Sequence, residues 1–342
     1  MVLLVSLSGT GCADLSYYLH SVKGQLSIVQ KTVAIEELLT DETTDPKLVQ
    51  QLQLVERLRE FAFQQLALPE SGSYSRYADV GRNHVLKNLY AADEFSVTLQ
   101  QWCYPIVGCA GYRGYFDDDM LEAFKAELVK QSKDIYVSNI PAYSTLGWFD
   151  DPVLNTFVYW PEYRLAGLIF HELAHQRLYI DGDSSFNESF AMAVQLSGTE
   201  KWLQQNGQLL ELQQYRQRFI NRLLVTELIE QTREELRLLY QTDLDQDQMR
   251  IQKQQIIARM KRDYELLAAQ FSVPDGFKYW FQGELNNARL ASVSTYYSGV
   301  GAFRQLLSNL NEDYAEFYRQ VEKTAALPPV ERQQQMKQWL AP

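Results

Sequence analysis

The stretch PEYRLAGLIFHELAHQRLY, residues 161–179, constrains the fold more than any other part of the chain. Pro161 suits the first position of a helix, and apolar residues then run round most of the helical surface. A helix of this kind cannot lie on an outer face; the chain must build a core around it. With 342 residues, 46% of them hydrophobic, the chain can supply one large domain or two modest ones. Asp181-Gly182-Asp183 stops the helix.

Two of the four histidines, His171 and His175, stand four residues apart in this helix, with Glu172 beside the first. Positions i and i+4 face the same way, so the two imidazoles can share one zinc ion, while Glu172 is a carboxylate able to take a proton from water. The plainer alternative packs both histidines in the core on side-chain hydrogen bonds. A catalytic zinc needs a third ligand. Asp181, six residues after His175, requires a chain-turning glycine three residues after His175, and Leu178 occupies that position. Glu188 in FNESFAMAV lies on the next expected helix and can return across the DGDSS turn, so it is the favoured ligand. Ser185-x-x-Glu188 also fits a capping box, in which the glutamate serves only the helix start. Asn187 can hold a ligand from behind or cap the helix.

Apolar residues at three-and-four spacing mark helices over 15–39 and 45–68, the second opened by Asp45-Pro46. Residues 71–116 hold short alternating pieces, FSVTLQQW and AGYRGYF among them, that belong to strands and loops. A helix over 117–132 precedes the central helix, and so does DIYVSNIPAYSTLGWF, which reads as one strand leading into an ordered, aromatic loop. From 198 to 271 the composition turns to Gln, Glu, Arg and Leu, as two long helices joined near 242–247 would have; the part after Val273 is helical again. The expected fold is α+β and mainly helical, with the zinc helix against a small sheet and a projecting antiparallel helical arm. Its divisions are a core over 12–198, the arm over 199–271, and a C-terminal part over 272–342 that completes the cleft.

A formal net charge of −11, with no basic block, argues against a nucleic-acid partner. Cys12 follows the apolar run MVLLVSLSGTG, which looks like the end of a bacterial lipoprotein signal, residues 1–11, with a lipid anchor on Cys12 and a periplasm-facing place in the cell envelope. A buried N-terminal strand with a structural cysteine is the alternative. In an oxidising compartment Cys103 and Cys109 can close a small loop; two buried thiols are the other reading.

HELAHQ followed by NESFA resembles the gluzincin aminopeptidases, whose second motif carries a zinc-binding glutamate. GSYSRYADVGR, WCYPIVGCAGYRGYF, PAYSTLGWFDDPVLNT, FHELAHQRLY, FNESFA and LNNARLASVSTYY together resemble a bacterial family of predicted aminopeptidases, often lipoproteins. The resemblance implies zinc on His171, His175 and Glu188, Glu172 as general base, and a peptide substrate. It also implies a tyrosine or histidine from a later helix that steadies the oxyanion, for which Tyr296 and Tyr297 are the candidates. Twelve residues separate His175 from Glu188, so the turn between them must be compact. An endopeptidase, or a non-catalytic zinc-containing binding protein of the envelope, are the rival readings. A peptide can add to a strand edge near GYRGYF or PAYSTLGWF. Asp150, Asp151 and Glu162 lie close in sequence to the zinc helix and receive no role.

Overall fold

A computed structural model of the chain describes residues 11–104, 108–142, 150–293 and 299–340. Helices dominate and three small sheets accompany them, so the architecture is α+β and mainly helical. α1 (Gly11–Val29) leads into the short strand β1 (Val33–Ala34) and α2 (Ile35–Thr40). Residues 15–39 therefore do not form one helix. Arg76 holds Thr32 by its Oγ1 and its carbonyl, both at 2.9 Å, and Val33 and Ala34 pair with Tyr77 and Arg76. The β-branched Thr32 and Val33 suit that extended form. α3 (Pro46–Leu66) starts with Asp45 accepting from the Lys47 amide and Pro46 in its first turn.

Five strands follow: β2 (Arg76–Ala78), β3 (Leu86–Ala92), β4 (Trp102–Tyr104), β5 (Gly108–Ala110) and β6 (Arg113–Tyr115). α4 (Asp118–Lys130) and β7 (Asp134–Ile140) come next, and β6-β3-β7 form an antiparallel sheet. Leu89, Ala91 and Tyr115 on this sheet pack with Leu121 and Leu128 of α4. Cys103 and Cys109 face each other across β4 and β5 and are joined by a disulfide. β8 (Val153–Leu154) runs parallel to β2 and completes the sheet β1-β2-β8.

The central helix is α5 (Glu162–Arg177), and α6 (Ser184–Gln205) lies along it. Leu165, Ile169, Phe170 and Leu173 of α5 share one core with Phe190 and Val194 of α6, with Leu58 and Phe61 of α3, and with Ala78 and Leu154 of the β1-β2-β8 sheet. This explains an apolar surface all round α5: helices and sheet enclose it. A Cβ at Gly198 would lie 2.6 Å from Leu66 Cδ1 and 3.0 Å from Phe170 Cδ2, so this glycine lets α6 approach α3 and α5. α6 accordingly runs through 198, and the turn falls at Gly207, whose φ is +71°.

α7 (Leu209–Leu239) and α8 (Gln246–Ala268) form the long hairpin. Val225, Ile229 and Leu236 meet Met249, Ile256 and Met260 in a second core, closed by Phe277 and by Phe281 of α9 (Lys278–Gln282) and Leu290 of α10 (Asn287–Ala291). Arg250 pairs with Glu94 and Lys253 with Asp134, which ties α8 to the β6-β3-β7 sheet. α11 (Val300–Asn309), α12 (Tyr314–Ala325) and α13 (Pro329–Trp339) return to the main core, where Phe303, Phe317 and Tyr318 surround Phe190.

Candidate functional site

The turn between α5 and α6 fixes the site. Asn187, fully buried, clamps Ile180 by both backbone groups: its Oδ1 accepts from the Ile180 amide at 2.9 Å and its Nδ2 donates to the Ile180 carbonyl at 2.8 Å. Asp183 is the residue that caps α6, accepting from the Phe186 amide at 3.1 Å, and Arg332 pairs with the other side of the same carboxylate. The Ser185–Glu188 capping box is therefore not formed, because the helix already starts at Ser184. Glu188, one turn further in, projects towards α5, and Asn187 is a turn clamp rather than a helix cap.

His171 Nε2 lies 3.1 Å from His175 Nε2, 3.4 Å from a Glu188 carboxylate oxygen, and His175 Nε2 lies 3.5 Å from the other oxygen. These are the distances a metal would impose: with bonds of about 2.05 Å, tetrahedral ligands stand about 3.3 Å apart. The three side chains can hold a metal ion, and they form the metal-competent cluster found among the described residues. His175 is buried, His171 half-buried, and Glu188 remains partly open to solvent. Binding through Nε2 leaves the ring proton on Nδ1, and both Nδ1 atoms are buried without a hydrogen-bond partner. Gln195 of α6 is the polar side chain that approaches His171.

Electrostatics divide the two imidazoles. Burial opposes charge on His171, but the Glu188 hydrogen bond, the Glu172 and Glu188 charges and Gln195 together raise its pKa. Burial, reinforced by the His171 charge, lowers His175 to about 4, so it stays neutral as a ligand must. Burial alone would raise the Glu188 carboxyl; the hydrogen bond from His171 and the charges of both histidines outweigh it and lower the pKa.

Glu172 is half-buried on α5. On the same face one turn later, Gln176 donates to Ser73 Oγ at 2.9 Å, and this draws the 71–75 loop against the helix. Arg59 holds the loop from behind through the Ser73 and Ser71 carbonyls, and the Asp151 amide donates to Ser73 Oγ. The loop delivers Tyr74, buried and at φ +61°, into the field of Glu172: burial first, then the charges of Glu172 and Asp151, push its phenol well above the ordinary range. Sequence reasoning missed Tyr74. Its stretch, GSYSRYADVGR, carries part of the family resemblance, but nothing in its spacing places it beside a helix a hundred residues later. Tyr179, whose ring lies 6.2 Å from His175 in an edge-on contact, is a second tyrosine at the site.

Tyr296 and Tyr297 lie outside the described residues. Gly299, shortly after them, packs against Ser189, the neighbour of Glu188. Asp181 is exposed on the turn and outside the three-ligand cluster. Glu162 accepts from Trp202 Nε1 at 2.7 Å and so ties α5 to α6. Asp151 is buried and supports the 71–75 loop through its backbone.

The fold and this cluster define a mainly helical α+β protein with a metal-competent site at the crossing of two core helices. Residues 16–336 match the family described as "Putative aminopeptidase", and the chain belongs to that family. No curated protein and no solved structure matches the chain.

Proposed function

We infer that the protein is a zinc-dependent aminopeptidase of gluzincin-like design, removing N-terminal residues from peptides, with His171, His175 and Glu188 as the zinc ligands. The observation that carries this reading is the convergence of two imidazole nitrogens and a carboxylate at tetrahedral spacing, with Glu172 next in sequence to one of them. Zinc, when bound there, polarises a carbonyl and makes water a nucleophile near neutral pH. Glu172 takes the proton of the attacking water and passes it to the leaving amine. Tyr296 and Tyr297 are the proposed oxyanion donors. Tyr74, buried and carried by the 71–75 loop, lies within the field of the Glu172 carboxylate. A peptide substrate adding to the strand edge near GYRGYF, which contains the outer strand β6, is the proposed mode of binding. We place the protein in the bacterial cell envelope, facing the periplasm and anchored by a lipid on Cys12; the Cys103–Cys109 disulfide supports an oxidising compartment.

A panel of peptides with free and blocked N-termini, assayed with the wild type and with Glu172→Gln, tests this. Cleavage of free N-termini alone, lost in the variant while zinc stays bound, is the expected result. Cleavage of blocked peptides would make the protein an endopeptidase, and bound zinc with no cleavage of any peptide would favour a binding protein.

A further inference from the structure

Among its described side chains, α1 is held by one face. Tyr17 meets Tyr115 at 5.6 Å and lies under the Arg113 guanidinium at 4.0 Å. Gly24 passes so close to Phe116 that a Cβ would run into the ring, and Ile28 is buried. The opposite face carries Leu19, Val22, Leu26 and Val29, each between 43% and 63% exposed, and Val33 continues the row beyond the helix end. Their spacing of three and four residues keeps them in one stripe about two turns and more in length. An aligned apolar row of this kind on an otherwise acidic protein marks a contact surface rather than scattered exposure.

Charge decides what the stripe meets. Between Leu15 and Ile35 there is no acidic residue, while Lys23 and Lys31 are both exposed, in a chain whose net charge is −11. Among the described residues neither lysine makes an ion pair. Beside the stripe, His20, Lys23, Lys31 and Arg82 line a cavity of about 240 Å³ with Phe116 and Asp117. Arg82 is fixed there by the Phe116 and Val85 carbonyls, not by a carboxylate, and Asp117 already caps α4 through the Met120 amide. The flanking positions argue against a second copy of α1 as the occupant. With Leu19, Val22, Leu26 and Val29 as the seam, Lys23, Gln25 and Gln30 take the flanks, and no acid faces Lys23 across a self-pair. An anionic phospholipid surface satisfies both features: apolar side chains enter the boundary between headgroups and acyl chains, and lysines meet the phosphates.

We propose that α1 lies on the membrane surface, its Leu19–Val29 stripe entering an anionic phospholipid bilayer and the His20, Lys23, Lys31 and Arg82 cluster receiving headgroup phosphate. The proposal takes its setting from the envelope reading above, since α1 begins beside Cys12 and a lipid there would hold the helix at the bilayer. It is nevertheless separable from it. The stripe adds a contact of its own to any lipid there, and it sets the side of the molecule that faces the membrane.

The test uses the full chain with Cys12→Ala, which removes any lipid, in co-sedimentation with vesicles of equal parts phosphatidylglycerol and phosphatidylcholine and with phosphatidylcholine alone. Binding to the anionic vesicles and not to the neutral ones is the expected result. Leu19→Ser with Leu26→Ser, and separately Lys23→Gln with Lys31→Gln, should each weaken it by about tenfold or more. Both pairs are solvent-facing, and unchanged peptide cleavage and circular dichroism would show an intact fold. No binding of the Cys12→Ala protein to either vesicle, or equal binding by the variants, would overturn the proposal. So would a dimer in sedimentation equilibrium that Leu19→Ser with Leu26→Ser dissociates, which would make the stripe a self-interface. Mass spectrometry of the membrane-extracted wild type reads the lipid on Cys12 independently, so either idea can fail alone.

Discussion

Asn187→Ala should loosen the metal site without touching a ligand. The side chain makes two hydrogen bonds, to the Ile180 amide and the Ile180 carbonyl, and is itself fully buried. Each bond contributes about 1 kcal/mol net, and leaving the partly buried Ile180 amide unpaired adds about another 1 kcal/mol, while the Ile180 carbonyl still accepts from the Asp183 amide. The expected loss is therefore roughly 2–3 kcal/mol of stability. Because the same clamp sets the path from His175 to Glu188, the spacing of the Glu188 oxygens to the two imidazoles should widen. Loss of a support of this kind weakens metal affinity by roughly 10- to 100-fold. Asn187→Asp keeps the acceptor for the Ile180 amide but sets a buried carboxylate oxygen against the Ile180 carbonyl, so it should destabilise at least as much as Asn187→Ala. Urea unfolding of the metal-free protein and competitive zinc titration measure the two effects separately. The reasoning fails if Asn187→Ala unfolds within about 0.5 kcal/mol of the wild type and binds zinc equally well, since the hydrogen bonds would then fix nothing.

Reducing the Cys103–Cys109 disulfide, or replacing both cysteines by serine, should cost about 2 kcal/mol, the loop-entropy value for so short a closed loop; urea unfolding with and without reductant checks it. Glu94 accepts two hydrogen bonds from Arg250, which outweigh burial and hold its carboxyl below the ordinary value. Its stabilising contribution is complete above the unfolded pKa of about 4.3 and disappears as pH falls through the lower folded value. Glu94→Gln should therefore flatten the acid limb of the stability curve between about pH 5 and pH 3, and unchanged steepness there would contradict it.

The long helices and the pairing of His171 with His175 on one helix face could be read from the sequence because their determinants are local. The i, i+4 spacing of His171 and His175 and the apolar run round α5 need no distant partner to be recognised. Glu188 was ambiguous for a physical reason: Ser185-x-x-Glu188 fits a capping box, and only the tertiary pairing of Arg332 with Asp183 fixes which residue caps α6. The single helix expected over 15–39 failed similarly, because Arg76 and β2 reach Thr32–Ala34 from some forty residues away. Gly198 looked like a change of composition and is instead a close approach of α6 to Leu66 and Phe170. Tyr74 was hidden for the same reason, since its place beside Glu172 depends on a loop docked by Gln176.

The central claim is that His171, His175 and Glu188 together hold the metal, and metal content per chain in the wild type, Glu172→Gln, His175→Ala and Glu188→Ala tests it most directly. The account predicts stoichiometric zinc in the wild type and in Glu172→Gln, and loss of tightly held zinc after dialysis in His175→Ala and Glu188→Ala. Full zinc retained by Glu188→Ala would contradict it, because the third ligand would then lie elsewhere in the chain.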